Sequence, residues 1–226
     1  MFTPQHALVI GASGGIGGAV VDTLHTRGCT RVSTLSRSAD GLDITDEASI
    51  QDCLSQIDGP PLDLVFIATG ILNVDGHDPE RRLAELKADT LARAYAVNAI
   101  GPILLIKHLK PRLERTRRAY LTALSARLAS IGDNGLGGWY AYRAAKTALN
   151  QYLRSAAIEL ARTHPELVIA ALHPGTIPTA LSERYARGRY TGTAESAAAR
   201  LLDVLTSLAP DDSGSFYDYA GDRIPW

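Results

Sequence analysis

Tyr142 and Lys146 stand four residues apart in Gly138-Trp139-Tyr140-Ala141-Tyr142-Arg143-Ala144-Ala145-Lys146. On a helix that spacing puts both side chains on one face, about 6 Å apart along the axis. A phenol titrates near pH 10 in water, too basic to exchange a proton readily near neutrality. A neighbouring ammonium favours the phenolate and lowers that value. Bringing it to about 7 needs roughly 4 kcal/mol of differential stabilisation, at about 1.36 kcal/mol per unit. The chemistry on offer is therefore proton exchange with an oxygen of a bound molecule. Alone, such a pair is common and usually means helix packing with a solvated lysine.

What gives the pair meaning is a second stretch near the start of the chain, Ala7-Leu8-Val9-Ile10-Gly11-Ala12-Ser13-Gly14-Gly15-Ile16-Gly17-Gly18. The apolar run bounded by glycines reads as a buried strand. Ile16, Val20 and Leu24 then recur at helical spacing. The turn between them offers free backbone N–H groups at a helix N-terminus, where an anion is favoured. Glycines at 11, 15 and 17 allow a tight turn and close approach to a pyrophosphate. The same letters also match G-x-S-x-G, which would make Ser13 a hydrolase nucleophile between strand and helix. His164 and His173 follow late in the chain, and nothing marks either as its base.

Bulk properties narrow the field. A chain of 226 residues suits one α/β domain with a full core, so 1–226 is read as a single domain. A net charge of −1 and a pI near 6.6 give no electrostatic footprint for nucleic acid. Arg112, Arg115, Arg117 and Arg118 read as a solvated face complementing a helix C-terminus. No apolar stretch reaches membrane-spanning length. Cys29 and Cys53 lack metal-ligand spacing, and no charged-then-apolar leader precedes them, so a cytoplasmic protein with free thiols is expected. The histidines show no spacing that calls for a metal.

Strand and helix signals alternate along the chain, which argues a parallel sheet with helices on both faces. Strands are expected within 7–10, 31–36, 41–44, 62–67, 118–124, 168–172 and 215–219. A helical region over about 80–115 is expected to break near Asp89-Thr90, and a long helix is expected over 139–162. Seven strands in this rhythm suit a doubly wound sheet with its ligand at the carboxyl ends of the strands.

Together these stretches resemble the short-chain dehydrogenase/reductase family, and within it the C-factor and sniffer-type carbonyl reductases. The resemblance covers essentially the whole chain. It rests on Gly11, Gly15 and Gly17, on Tyr142 and Lys146, and on Asn98 within Val97-Asn98-Ala99-Ile100-Gly101-Pro102. It extends to Pro174-Gly175 with Thr179, and to Gly137-Gly138-Trp139-Tyr140 and Arg223-Ile224-Pro225-Trp226. It implies a single Rossmann domain with strand order 3-2-1-4-5-6-7, residues 1–110 mainly holding the cofactor and 111–226 the substrate. By resemblance, Tyr142 protonates a carbonyl oxygen as hydride arrives, giving an alcohol from an aldehyde or ketone. Lys146 holds the cofactor ribose and lowers the tyrosine's pKa, and Asn98 steadies a water in the relay or is a buried helix residue satisfied by backbone. The cofactor would lie against Gly11, Ser13, Gly14, Gly15, Ile16, Gly17, Ala68, Thr69 and Gly70. Pro174, Gly175, Ile177 and Thr179 would meet its nicotinamide end, or merely stop the sixth strand.

Two departures stand out. The family's Asn-Asn-Ala-Gly reads Ile67-Ala68-Thr69-Gly70, without the asparagine that braces the central strands. The family's serine position falls on Ala126, so Ser125 takes the role only if the strand end shifts by one, with Ser130 in reserve. Cofactor choice turns on Ser36-Arg37-Ser38, where an arginine suits a 2′-phosphate and no acid precedes Asp40. NADP(H) is expected over NAD(H). Asp43, with Ile44 beside it, matches the residue near the adenine or caps the following helix. Residues 180–192 are expected to form a lid, with Leu136, Trp139, Tyr140 and Tyr185 as pocket walls. A homodimer or homotetramer follows family habit. The rival of another class is a nucleotide sensor of the same fold that turns over nothing.

Overall fold

An apolar run without alternation needs cover on both faces, and in the computed structural model, which describes residues 2–186 and 188–226, such runs form the middle of one sheet. β1 (His6–Ile10), β3 (Leu64–Ile67), β4 (Ala119–Leu124) and most of β5 (Leu167–His173) are buried residue after residue. β2 (Arg31–Leu35) and β6 (Ser215–Asp218) close the edges. The order is β2-β1-β3-β4-β5-β6, every pair parallel, with Leu8 opposite Val65 and Leu121 opposite Ile169.

Successive side chains point to opposite faces, so the sheet feeds two cores. Leu8, Ile10, Val65, Ile67, Leu121 and Ile169 pack under α3 (Glu47–Ser55), α5 (Gly101–Leu109) and α6 (Tyr140–Leu160). Ala7, Val9, Leu64, Phe66, Val168 and Ala170 pack under α1 (Gly15–Thr26) and α8 (Ala194–Ser207). Two layers of helix sandwich the sheet.

Among the described residues the sheet has six strands, not the seven expected, because residues 41–44 do not pair as a strand. Leu42 and Ile44 are buried, which produced the apolar signal, but the backbone is spent otherwise. Gly41 is left-handed after the single turn α2 (Arg37–Asp40), Leu42 N donates to Ser36 O at 3.3 Å, and Asp43 turns onto Thr45. The remaining order agrees with the expectation once that edge strand is removed. The expected break near Asp89-Thr90 is also displaced. α4 (Ala88–Tyr95) begins there instead, and a π-helical turn, Ala96–Ile100, joins it to α5.

Candidate functional site

The carboxyl ends of the strands are stitched together by backbone bonds, and this edge gathers the chemistry. Gly11 N donates to Leu35 O at the end of β2, Ala68 N to Ile10 O at the end of β1, and Ser125 N to Leu172 O near the end of β5. The glycine turn therefore lies against the ends of β2 and β3. Its closure is tight: a Cβ on Gly17 would stand 2.2 Å from Gly11 O, a contact no side chain tolerates. Gly14 caps α1 without any side-chain hydrogen bond, so the first-turn N–H groups have no side-chain acceptor. A Cβ on Gly15 would come 3.0 Å from the Thr179 methyl, and one on Gly11 3.0 Å from Ala68 C. Gly11, Gly15, Ala68, Thr69 and Thr179 thus meet along one wall, with Ser13, Gly14, Ile16 and Gly17 in the turn and first helical turn beside it. The Thr69 hydroxyl on that wall is buried without a partner. Open helix N–H groups and an unpartnered hydroxyl together fit a phosphate-bearing cofactor.

At the end of β2, Ser36 is buried and Arg37 exposed. Asp43 Oδ1 accepts from Thr45 N at 2.8 Å and Thr45 Oγ1 at 2.7 Å, which holds its carboxyl below the usual range. The helix cap is Asp46, whose side chain accepts from Ala48 N. Ile44 lies against Gly101, where a Cβ would meet Ile44 O at 2.7 Å.

Tyr142 and Lys146 share a face of α6, with the Lys146 ammonium 6.0 Å from the tyrosine ring centroid. Lys146 is buried and donates to Leu124 O at 2.7 Å. A Cβ on Gly70 would lie 3.0 Å from Asn98 Oδ1 and 3.4 Å from Lys146 Nζ, so those groups meet at the end of β3. Burial pushes Tyr142 up to about 12 and Lys146 down to about 7. The expected lowering of the phenol by the ammonium is not what the structure gives: burial sets the direction of each shift.

Asn98 sits in the π-helical turn, a distortion that often marks functional positions. Its side chain is committed to structure: Oδ1 accepts from Ile71 N and Nδ2 donates to Ile71 O, both at 2.9 Å. The Ser125 hydroxyl donates to Asn150 Oδ1 at 2.7 Å. Asn150 is eight residues beyond Tyr142, about 12 Å along the helix. Ser130 Oγ accepts from Asp133 N at 3.1 Å, and Ala126 is buried between them in the chain.

After β5, Pro174 leads into Gly175 at φ +82, where a Cβ would meet Thr191 Oγ1 at 2.1 Å. Ile177 is buried, and its carbonyl accepts from Ser182 Oγ. The expected lid contains a short helix, α7 (Glu183–Ala186); Arg187 lies outside the described residues. Tyr185 meets Trp139 edge-on at 5.6 Å, and Trp139 meets Tyr142 at 6.3 Å. Leu136, by contrast, is 92 % exposed and walls nothing.

Two acids that sequence reasoning missed hold this arrangement. Asp78 Oδ1 accepts from the Tyr185 hydroxyl at 2.8 Å and from Arg184 at 3.0 Å, tying the lid to the loop after β3. Glu80 is buried; its Oε2 accepts from Ala141 N at 3.2 Å and its carbonyl from Trp139 N. It caps α6 from 61 residues away, one residue before Tyr142, where Trp139 at φ +52 supplies no side-chain cap. Arg143 clamps the preceding loop through the carbonyls of Gly137, Gly138 and Leu128. Nothing local in the sequence signals these long-range contacts. Among the described residues, no cluster of three or more His, Cys, Asp or Glu could hold a metal, and no helix is long and apolar enough to cross a membrane.

Comparison with known proteins agrees with this fold. The carbonyl reductase Sniffer of D. melanogaster superposes with a TM-score of 0.84 at 20% identity, covering 98% of this chain and 99% of that one. An NADPH-bound carbonyl reductase from chicken fatty liver gives 0.81 at 23% identity, over the whole of both chains. In sequence, 1-hydroxy-2-glutathionyl-2-methyl-3-butene dehydrogenase of Rhodococcus sp. is 28% identical, over 97% of this chain and 98% of its own. The C-signal protein of Myxococcus xanthus is 33% identical over 64% of this chain and 83% of its own. A family model described as short chain dehydrogenase matches residues 5–189. The chain belongs to the short-chain dehydrogenase family.

Proposed function

We propose that the chain is an NADP(H)-dependent reductase that converts a ketone or aldehyde to an alcohol. One observation carries the reading: Tyr142, Lys146, Asn98 and Gly70 converge at the carboxyl edge of the sheet, the edge that also holds the glycine turn. The dinucleotide, when bound, supplies hydride and, once oxidised, a positive ring. Tyr142 gives its hydroxyl proton to the substrate oxygen while the carbonyl carbon takes the hydride, which balances the reduction. Lys146, fixed by Leu124 O, carries the positive charge that favours the phenolate left behind. Asn98 holds Ile71 and with it the chain beyond Gly70. Trp139 packs edge-on against the Tyr142 ring, with Tyr185 packed in turn against Trp139, and so limits water there. Gly11 to Gly17, Ala68, Thr69, Pro174, Gly175, Ile177 and Thr179 would hold the cofactor, with Ser36 and Arg37 at its 2′-phosphate. The preference for NADP(H) is supported by Arg37 and by the NADPH-bound chicken enzyme of the same fold. The reading carries a cytoplasmic homodimer or homotetramer, supported by exposed Tyr95, Ile100 and Ile158 on the helices around α4 to α6.

A second reading, a dinucleotide sensor without turnover, is favoured by one specific observation. Alanine stands at 126 and the Ser125 hydroxyl is turned onto Asn150. A panel of aldehydes, diketones and quinones, followed by loss of NADPH absorbance, separates the two. Alcohol formed in step with NADPH consumed supports the reductase. NADPH bound tightly with no member reduced supports the sensor. Ester cleavage without nucleotide would revive Ser13 as a nucleophile; in the structure Ser13 makes no hydrogen bond to a histidine among the described residues.

A further inference from the structure

Two cavities lie along the loop after β3, and they share His77, Asp78, Glu80 and Thr90. The inner one, about 10 Å³ and so room for one water, reaches Tyr142 among buried Leu72, Val74 and Ala94. The outer one, about 270 Å³, widens beside Glu85 and Lys87 and has room for part of a small organic molecule. Most polar groups around them are committed within the protein. Asp78 Oδ1 accepts from the Tyr185 hydroxyl and Arg184, Glu85 accepts from Arg81 N and Arg82, and Lys87 Nζ lies 3.4 Å from His77 Nε2. Glu80 is different. It is only 4 % exposed, its Oε2 accepts from Ala141 N, and its Oε1 has no partner. A buried carboxylate oxygen left unmatched is costly, and such a group calls for something that enters and completes it.

We infer that Glu80 is a specificity-determining residue whose Oε1 selects carbonyl substrates bearing a protonated amine. The inference rests on the reductase reading above, which makes the Tyr142 end of these cavities the reacting end. An ammonium brings N–H donors and the opposite charge to an acceptor that has neither, and a hydrogen bond between charged groups is stronger than a neutral one. An alkyl group in the same place would leave the oxygen unmatched, and a substrate carboxylate would meet like charge. Oε2 keeps its bond to Ala141 N throughout. One carboxylate thus caps α6 with one oxygen and reads the substrate with the other.

Steady-state kinetics on the full chain at neutral pH with saturating NADPH tests this. The probes are acetophenones carrying an aminomethyl, ethyl or carboxymethyl group at the meta or para position, a set of similar shape whose charge runs from positive to negative. Each is scored as a substrate or as a competitive inhibitor of the best carbonyl from the panel above, in wild type, Glu80→Gln and Glu85→Gln. Thermal melts check that each variant is folded. In wild type the aminomethyl compound should bind, by KM or Ki, about tenfold more tightly than its ethyl partner at the better position, with the carboxymethyl compound weakest. Glu80→Gln keeps an acceptor for Ala141 N and removes the charge, so the amine should weaken to within about twofold of the ethyl compound. Glu85→Gln should keep the wild-type preference. Equal binding of the two in wild type overturns the inference and leaves the reductase reading intact. So does an amine preference that survives in a folded Glu80→Gln or is lost in Glu85→Gln. If no carbonyl of that panel is reduced although NADPH binds, the reductase reading itself falls, and the inference with it.

Discussion

At the glycine turn, a single methyl on Gly17 would sit 2.2 Å from the Gly11 carbonyl, and the chain has glycine there. At the other end of the cleft, the chain follows no such constraint. Alanine stands at 126, Ser125 binds Asn150, and the phenol depends on burial and on acids from a remote loop. The first region is fixed by backbone sterics within a dozen residues, so its geometry and its sequence pattern are the same fact. The second is assembled from β4, α6, the loop after β3 and the lid. The same helical pair can be supported there by different neighbours, so a departure in one position need not empty the site.

That contrast can be broken or sharpened by substitution. Gly17→Val should have the largest effect, abolishing dinucleotide uptake and costing about 1–3 kcal/mol through overpacking; calorimetry and thermal denaturation read the two parts. Next, Glu80→Ala should lower kcat about tenfold and stability by about 1 kcal/mol, the usual size of a lost cap. Glu80→Gln, which keeps the acceptor for Ala141 N, should recover most of both, with NADPH affinity unchanged in either variant. An Ala substitution that leaves kcat at the wild-type level would remove Glu80 from the positioning of Tyr142.

Smaller effects are expected where the serine is at issue. Ala126→Ser should raise kcat about fivefold by adding a donor near the substrate oxygen. Ser125→Ala should leave kcat within about twofold and cost about 1 kcal/mol, because Asn150 Oδ1 loses its partner. Steady-state kinetics on the pair decides which position faces the cleft. The smallest effect is a pH slope. Lys146 is held down to about 7, against an unfolded value of 10.5. Between those values the unfolded chain binds more protons, so this residue's contribution makes stability rise with pH. Below about 7 both forms are charged and the slope vanishes. Lys146→Met should flatten the rise in chemical denaturation curves across that window.

How much of this was legible follows the same division. The strand, turn and helix around Gly11 to Gly17 could be read because each element's signal is local. Tyr142 and Lys146 could be paired because helical spacing alone puts them on one face. The 41–44 edge was misread because burial of Leu42 and Ile44 mimics a strand, while pairing depends on where Asp43 and Ser36 send their hydrogen bonds. The π-helical turn at Asn98 left no trace in the apolar period. Glu80 and Asp78 were invisible because their partners are 61 and 107 residues away.

The central claim is that the Tyr142 hydroxyl donates the proton in a dinucleotide-dependent reduction. The direct measurement is Tyr142→Phe, assayed for NADPH oxidation with the best carbonyl substrate alongside calorimetric NADPH binding. The account predicts a fall in kcat of about 10²- to 10⁴-fold, with the dissociation constant for NADPH unchanged. Turnover near the wild-type rate in a folded, NADPH-binding Tyr142→Phe would contradict it.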